Sequence, residues 1–268
     1  MDQAADPKRG GAHQEKAAEH VPQFKQLADI DITKEPMEVG PTTHYIMGGV
    51  RVDADTQMSS VPGLFAAGEC AAGINGANRL GGNSLSDLLV FGKRAGEFAA
   101  KFAKTSGSGT IDPRQTANGE KRALEPFERG GQTEGPFQVQ AALQEMMQDL
   151  VGIVRTEGEM QRALDALGTL RARAARVGVT GHREYNPGWH AALDLGNLLL
   201  VSEAIARAAI ERRESRGGHF RDDYPEKDGA LGKVNIAVRK GRDGQMEVSR
   251  VPIPEMPDEL KRVIEDMK

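Results

Sequence analysis

The 268-residue sequence holds a single cysteine, Cys70. No intrachain disulfide can form from it, nor a self-contained iron–sulfur cluster or cysteine-rich zinc site. That scarcity suits a reducing compartment. Long apolar runs are also missing. No stretch of about 18 apolar residues is present to cross a membrane, and the first residues lack the apolar core of a signal peptide. No internal repeat, collagen-like period or low-complexity tract appears. Charge is nearly balanced at a formal −4, which gives no bulk attraction to nucleic acid but leaves room for a local cationic pocket. Also absent is a G-x-G-x-x-G after an early strand, the pattern that seats a dinucleotide pyrophosphate.

What is there fits a soluble globular chain: 38% hydrophobic and 28% charged residues, enough for one large domain or two modest ones. Residues 1–20 are polar and without useful periodicity, so they are expected to be flexible or only locally helical. Tyr45-Ile46-Met47 and Val50-Arg51-Val52 read as short strands around Gly48-Gly49. After the turn Val61-Pro62-Gly63, the run Leu64 to Ala67 reads as a short buried strand. A glycine-rich loop, Gly73 to Gly82, leads into an apolar helix from Asn83-Ser84 to about Ala103. There Ser84 and Asp87 fit a capping box, with aspartate in place of glutamate. The stretch 105–110, TSGSGT, reads as a flexible linker and domain boundary.

Beyond it, helical patterns cover Pro113–Arg129, Pro136–Val151, Gly158–Val177 and Trp189–Arg213, the packed helices of a small bundle. Met160, Leu164, Leu167 and Leu170 form a stripe on the third. Leu193, Leu195, Leu198, Leu199, Val201 and Ile205 form a broad apolar face on the fourth, which Gly217-Gly218 is expected to end. Val234 to Val238, a turn at Gly241 to Gly244, and Met246 to Val248 read as a hairpin. Pro257-Asp258 then opens a short terminal helix.

The chemistry concentrates between Pro41 and Gly96. Helix amino termini carry unpaired N–H groups and a partial positive charge, and a glycine-rich approach lets an anion or an electron-rich ring edge reach them. Asn83, Ser84 and Leu85 occupy such a terminus. Arg79, inside the loop, has the planar fork that binds carboxylates, unless it is an ordinary surface arginine. His44 can contact a carboxylate or carbonyl oxygen, or be a satisfied structural histidine. Glu69, at the end of a short strand, can hold sugar or ribityl hydroxyls, or cap a loop. Cys70 reads as a small buried packing residue.

The strings PTTHYIMGGVRVD, GLFAAGE and GANRLGGNSLSDLLVFG closely resemble the flavoprotein subunit of succinate dehydrogenases and fumarate reductases. REYNPGWHAALDLGNLL at 183–199, ESRGGHFRDDYPEKD at 214–228 and the final MPDELKRVIEDMK extend the resemblance over roughly residues 21–268. It implies a fold class of α/β plus α: the carboxyl-terminal part of an FAD-binding α/β domain, then a helical bundle and a small β-hairpin tail. The implied divisions are 1–20, 21–104, a linker at 105–112, a helical domain at 113–228, and the hairpin with terminal helix at 229–268. By the same resemblance His44 and Arg79 contact the dicarboxylate, succinate or fumarate. Glu69 contacts FAD, and Asn83, Ser84 and Leu85 lie beside the flavin ring. The resemblance also implies an iron–sulfur subunit that takes the electrons, membrane anchor subunits, and a peripheral place on the inner face of the cell membrane.

The family's pyrophosphate motif, its covalent FAD histidine and its capping domain with the proton-donating arginine have no counterpart in these residues. The expectation is therefore an interrupted, truncated or split flavoprotein that has no catalytic residue of its own and holds FAD weakly or not at all. An L-aspartate oxidase-like enzyme shares the GANR…NSL pattern, though Leu80-Gly81-Gly82 and Ser86-Asp87 favour the succinate dehydrogenase version. A non-catalytic helical interaction module over 113–268 is the remaining alternative.

Overall fold

The computed structural model describes residues 22–38, 40, 43–129 and 134–266. The expectation for residues 1–20 lies outside them. The chain divides into two compact units, Met1–Thr43 and His44–Lys268. In the first, residues 22–28 are helical. Asp31 then organises a turn, accepting from the Thr33 hydroxyl at 2.5 Å and pairing with Lys34 at 3.1 Å. The hydrogen bond from Thr33, then that from Lys34, holds its carboxyl at about 2.

The second unit mixes helices with small sheets. Helix α1 spans Asn83–Ser106, α2 Pro113–Glu128 and α3 Pro136–Leu150; strand β1 is Val154–Arg155. Helix α4 spans Glu157–Ala174 and α5 Pro187–Glu211; β2 is Phe220–Arg221, β3 Val234–Lys240, β4 Met246–Pro252 and α6 Asp258–Asp266. The sequence sets most of these starts. Asp112 and Asn186 cap α2 and α5 with their side chains, each followed by a proline at the first helical position, where no N–H is missed. Thr156 caps α4 by accepting the Glu159 N–H, and its hydroxyl donates to the Glu159 carboxylate at 2.8 Å. This is the Thr-x-x-Glu spacing of a capping box.

Helices α3, α4 and α5 bury one apolar cluster: Val139 and Leu143, Leu167 and Leu170, and Leu195 and Leu199, closed by Val177. A second cluster, Val151, Met160, Ala163, Ala206 and Ala209, continues it toward the other end. The expected stripe on α4 thus faces the core. On α5 the apolar face is broader than the core it meets: Leu195 and Leu199 are buried, whereas Leu193, Leu198 and Val201 stay exposed. Strands β1 and β2 pair in parallel, Val154 with Phe220 and Arg155 with Arg221. Strands β3 and β4 form the expected antiparallel hairpin, Val234 opposite Pro252 and Lys240 opposite Met246.

Several expectations are corrected. The strands expected at 45–52 and 64–67 appear as isolated bridges, Val50 with Ala71, Val52 with Ser59 and Met58 with Phe65. Their β-prone runs are only a few residues long and interrupted by glycine, too short to extend a ladder. Helix α1 continues through Thr105, whose hydroxyl donates back to the Lys101 and Phe102 carbonyls; it stops at Gly107. Residues 107–112, within the expected linker, carry no regular element. Gly217-Gly218 does not end α5, which stops at Glu211 with Arg212 as its cap.

Candidate functional site

The candidate residues gather around Tyr45. Its ring lies 4.7 Å from the guanidinium carbon of Arg79 and 6.3 Å from the ring of His44. Its hydroxyl donates to Asp87 Oδ2 at 3.4 Å. The next residue is tied as well: the Ile46 N–H donates to Glu69 Oε1 at 3.0 Å. Tyr45 therefore links the His44 segment, the glycine-rich loop and α1. Partial burial first, then the carboxylates of Asp87 and Glu69, push its phenol above the ordinary 10.0.

Arg79 is half-buried in the loop 73–82. Its Nη1 donates to the Leu80 carbonyl at a long 3.4 Å, and its Nε is buried with no hydrogen-bond partner. Among the described residues no carboxylate pairs with it. A buried N–H without an acceptor is costly, so the loop presents a half-buried cation with a donor left free for an incoming acceptor. His44 is exposed, one residue before the Tyr45 ring on which Arg79 rests.

Helix α1 starts after Gly82, whose φ of 85° puts it in the left-handed region that only glycine enters without strain. No side chain caps that end. The expected Ser84–Asp87 capping box is absent. With Gly82 as the N-cap, Ser84 is already the second helical residue, and Asp87 turns inward to the Tyr45 hydroxyl. Asn83 and Leu85 are exposed and Ser84 half-buried. Asp87 is 4% exposed, and its Oδ1 has no partner. Glu69 commits one oxygen to the chain's own backbone. Cys70 is exposed rather than buried, its thiol directed to the Ala67 carbonyl at 3.3 Å. It ends the short 3-10 turn Gly68–Cys70, which leaves its side chain outside. Tyr45 and Asp87 escaped the sequence reading as site residues. The only signal was their membership of the strings PTTHYIMGGVRVD and GANRLGGNSLSDLLVFG.

A family model described as "FAD binding domain" matches residues 11–85, and one described as "Fumarate reductase flavoprotein C-term" matches residues 140–263. The 8-methylmenaquinol:fumarate reductase flavoprotein subunit of Wolinella succinogenes is 38% identical over 244 residues, 87% of this chain and 40% of its own length. The fumarate reductase flavoprotein subunit of Escherichia coli is 37% identical over 248 residues, 89% of this chain and 40% of its own length. Among solved structures, the Mycobacterium smegmatis Sdh1 in complex with UQ1 superposes with a TM-score of 0.84 at 48% identity, over 93% of this chain and 43% of that one. The chain belongs to the succinate dehydrogenase and fumarate reductase flavoprotein family. It spans well under half the length of these relatives.

Proposed function

We propose that this chain provides the dicarboxylate clamp and the flavin-facing helix of a flavoprotein that interconverts succinate and fumarate. The observation that carries this reading is the half-buried Arg79 guanidinium, without an anionic partner among the described residues, resting on the ring next to His44. A dianion needs donors at both ends. Arg79 takes one carboxylate in a two-pronged grip, and the His44 imidazole takes an oxygen beside it. The FAD binding domain match supports the cofactor. The residues present suit its ring end: a helix terminus without a side-chain cap, entered through Gly82, with Asn83, Ser84 and Leu85 on its first turn. Bound FAD supplies the ring that accepts or releases hydride. The first-turn N–H groups of α1 stabilise negative charge facing them, and Glu69 borders the same region through its hold on Ile46.

In this assignment residues 21–104 are the flavin side, 113–228 the helical portion, and 229–268 the hairpin and final helix. Electrons leave to an iron–sulfur subunit, and anchor subunits hold the assembly to the membrane. No helix of the described residues is long and apolar enough to cross a membrane. Titrating the chain with malonate, an unreactive dicarboxylate, and following amide shifts by NMR tests the clamp. Arg79→Lys and His44→Ala are each expected to weaken binding by about tenfold or more, since lysine cannot make the paired hydrogen bonds. Affinity unchanged by both substitutions removes the proposal.

A further inference from the structure

We infer that the Gly217–Gly218 turn is a positioning element for Arg79, acting from the helical portion of the chain. The inference rests on the reading of Arg79 as the carboxylate clamp and says what holds that clamp in place. The Gly218 N–H donates to the Ala77 carbonyl at 2.9 Å, two residues ahead of Arg79. Among the described residues this is the one backbone hydrogen bond that ties loop 73–82 to a distant segment. The approach is one only glycine allows. Gly217 has φ 61°, and a Cβ there would stand 2.2 Å from the Ala77 oxygen.

The turn cannot easily move aside. The Arg216 N–H donates to the His219 carbonyl at 2.8 Å and the His219 N–H to the Arg216 carbonyl at 3.1 Å, closing a two-residue hairpin. Its base is anchored by Glu214, which is fully buried. That carboxylate accepts from Arg216 Nε and Nη2, each at 2.9 Å, from the Asp228 N–H at 2.8 Å, and from Arg212. His219 is braced between the Arg212 carbonyl at 2.9 Å and Arg155 Nη1 at 3.1 Å. A network that permits so little motion sets the height of Ala77. Ala77 in turn sets where Arg79 meets the Tyr45 ring.

Hydrogen exchange of the full chain, read residue by residue, tests this together with malonate binding. Gly217→Ala is expected to speed exchange in residues 74–82 by about tenfold or more, with residues 139–209 unchanged, and to weaken malonate binding by about as much. Gly218→Ala is expected to leave both at wild-type values, because its Cβ would sit 3.8 Å from the Ala77 oxygen, an ordinary contact. Loop exchange unchanged in Gly217→Ala overturns the inference. So does a wild-type Gly218 amide that exchanges as fast as the exposed Gly109 amide, a measurement that needs no variant to fold. Wild-type chain that ignores malonate, while Gly217→Ala still frees the loop, overturns the dicarboxylate reading and supports the coupling of turn to loop.

Discussion

Glu214 is shut off from solvent, yet its carboxyl is held at about 2 against an ordinary 4.5. Burial by itself would raise it. Hydrogen bonds from Arg216, the Asp228 N–H and Arg212 outweigh that penalty. Asp223, held at about 2 against 3.8 chiefly by Arg221, behaves alike. Both folded-state values lie below the unfolded ones. Their stabilisation is therefore present in full above about 4.5 and drains away as pH falls toward 2. Urea midpoints measured across that window are expected to fall steeply in the wild type and less steeply in Glu214→Gln; equal slopes would contradict the assignment. Single residues differed in how far the sequence revealed them. Arg79 and His44 stand out because their side chains are chemically suited to anions wherever they sit. Tyr45 and Asp87 do not, because their meaning depends on a partner 42 residues away.

Helices were the elements most open to a sequence reading, since each start carries its own chemistry within a few residues. Asp112-Pro113 and Gly135-Pro136 open α2 and α3 at the expected residues. Helix α4 starts at Glu157, one residue ahead of the expected Gly158, because Thr156 and Glu159 close a capping box there. The bridges between 50 and 72 were illegible as such: local β propensity does not say whether a neighbouring strand exists to pair with. Nor does periodicity say how much of an apolar face is covered. Leu193 and Leu195 share α5 and one residue type, but Leu195 is 1% exposed and Leu193 38%. Leu195→Ala is expected to cost about 3 kcal/mol, the toll of an unfilled cavity. Leu193→Ala should cost under about 1 kcal/mol. Denaturant titration separates them, and similar losses would mean that the α3–α4–α5 core is drawn wrongly.

At the scale of the molecule, the ring end of a flavin site is what we propose for the described residues, while the sequence has no G-x-G-x-x-G fingerprint for the pyrophosphate. Much of a dinucleotide's affinity comes from that fingerprint and the helix dipole behind it. The purified chain mixed with FAD is therefore expected to lose its yellow colour on dialysis. A flavin absorption band that survives would show that other residues replace the missing motif. Family membership was legible from long strings alone, because each fixes many side chains at once. The tie between Gly218 and Ala77 was not, because it spans most of the second unit and involves backbone atoms that every residue has. The misjudged Cys70 carries a practical consequence. As the sole thiol, exposed and next to Glu69, it offers a single attachment point for a maleimide fluorophore. A dye there would sit one residue from the carboxylate that grips Ile46, so occupancy of the proposed clamp is expected to register in its emission without any substitution.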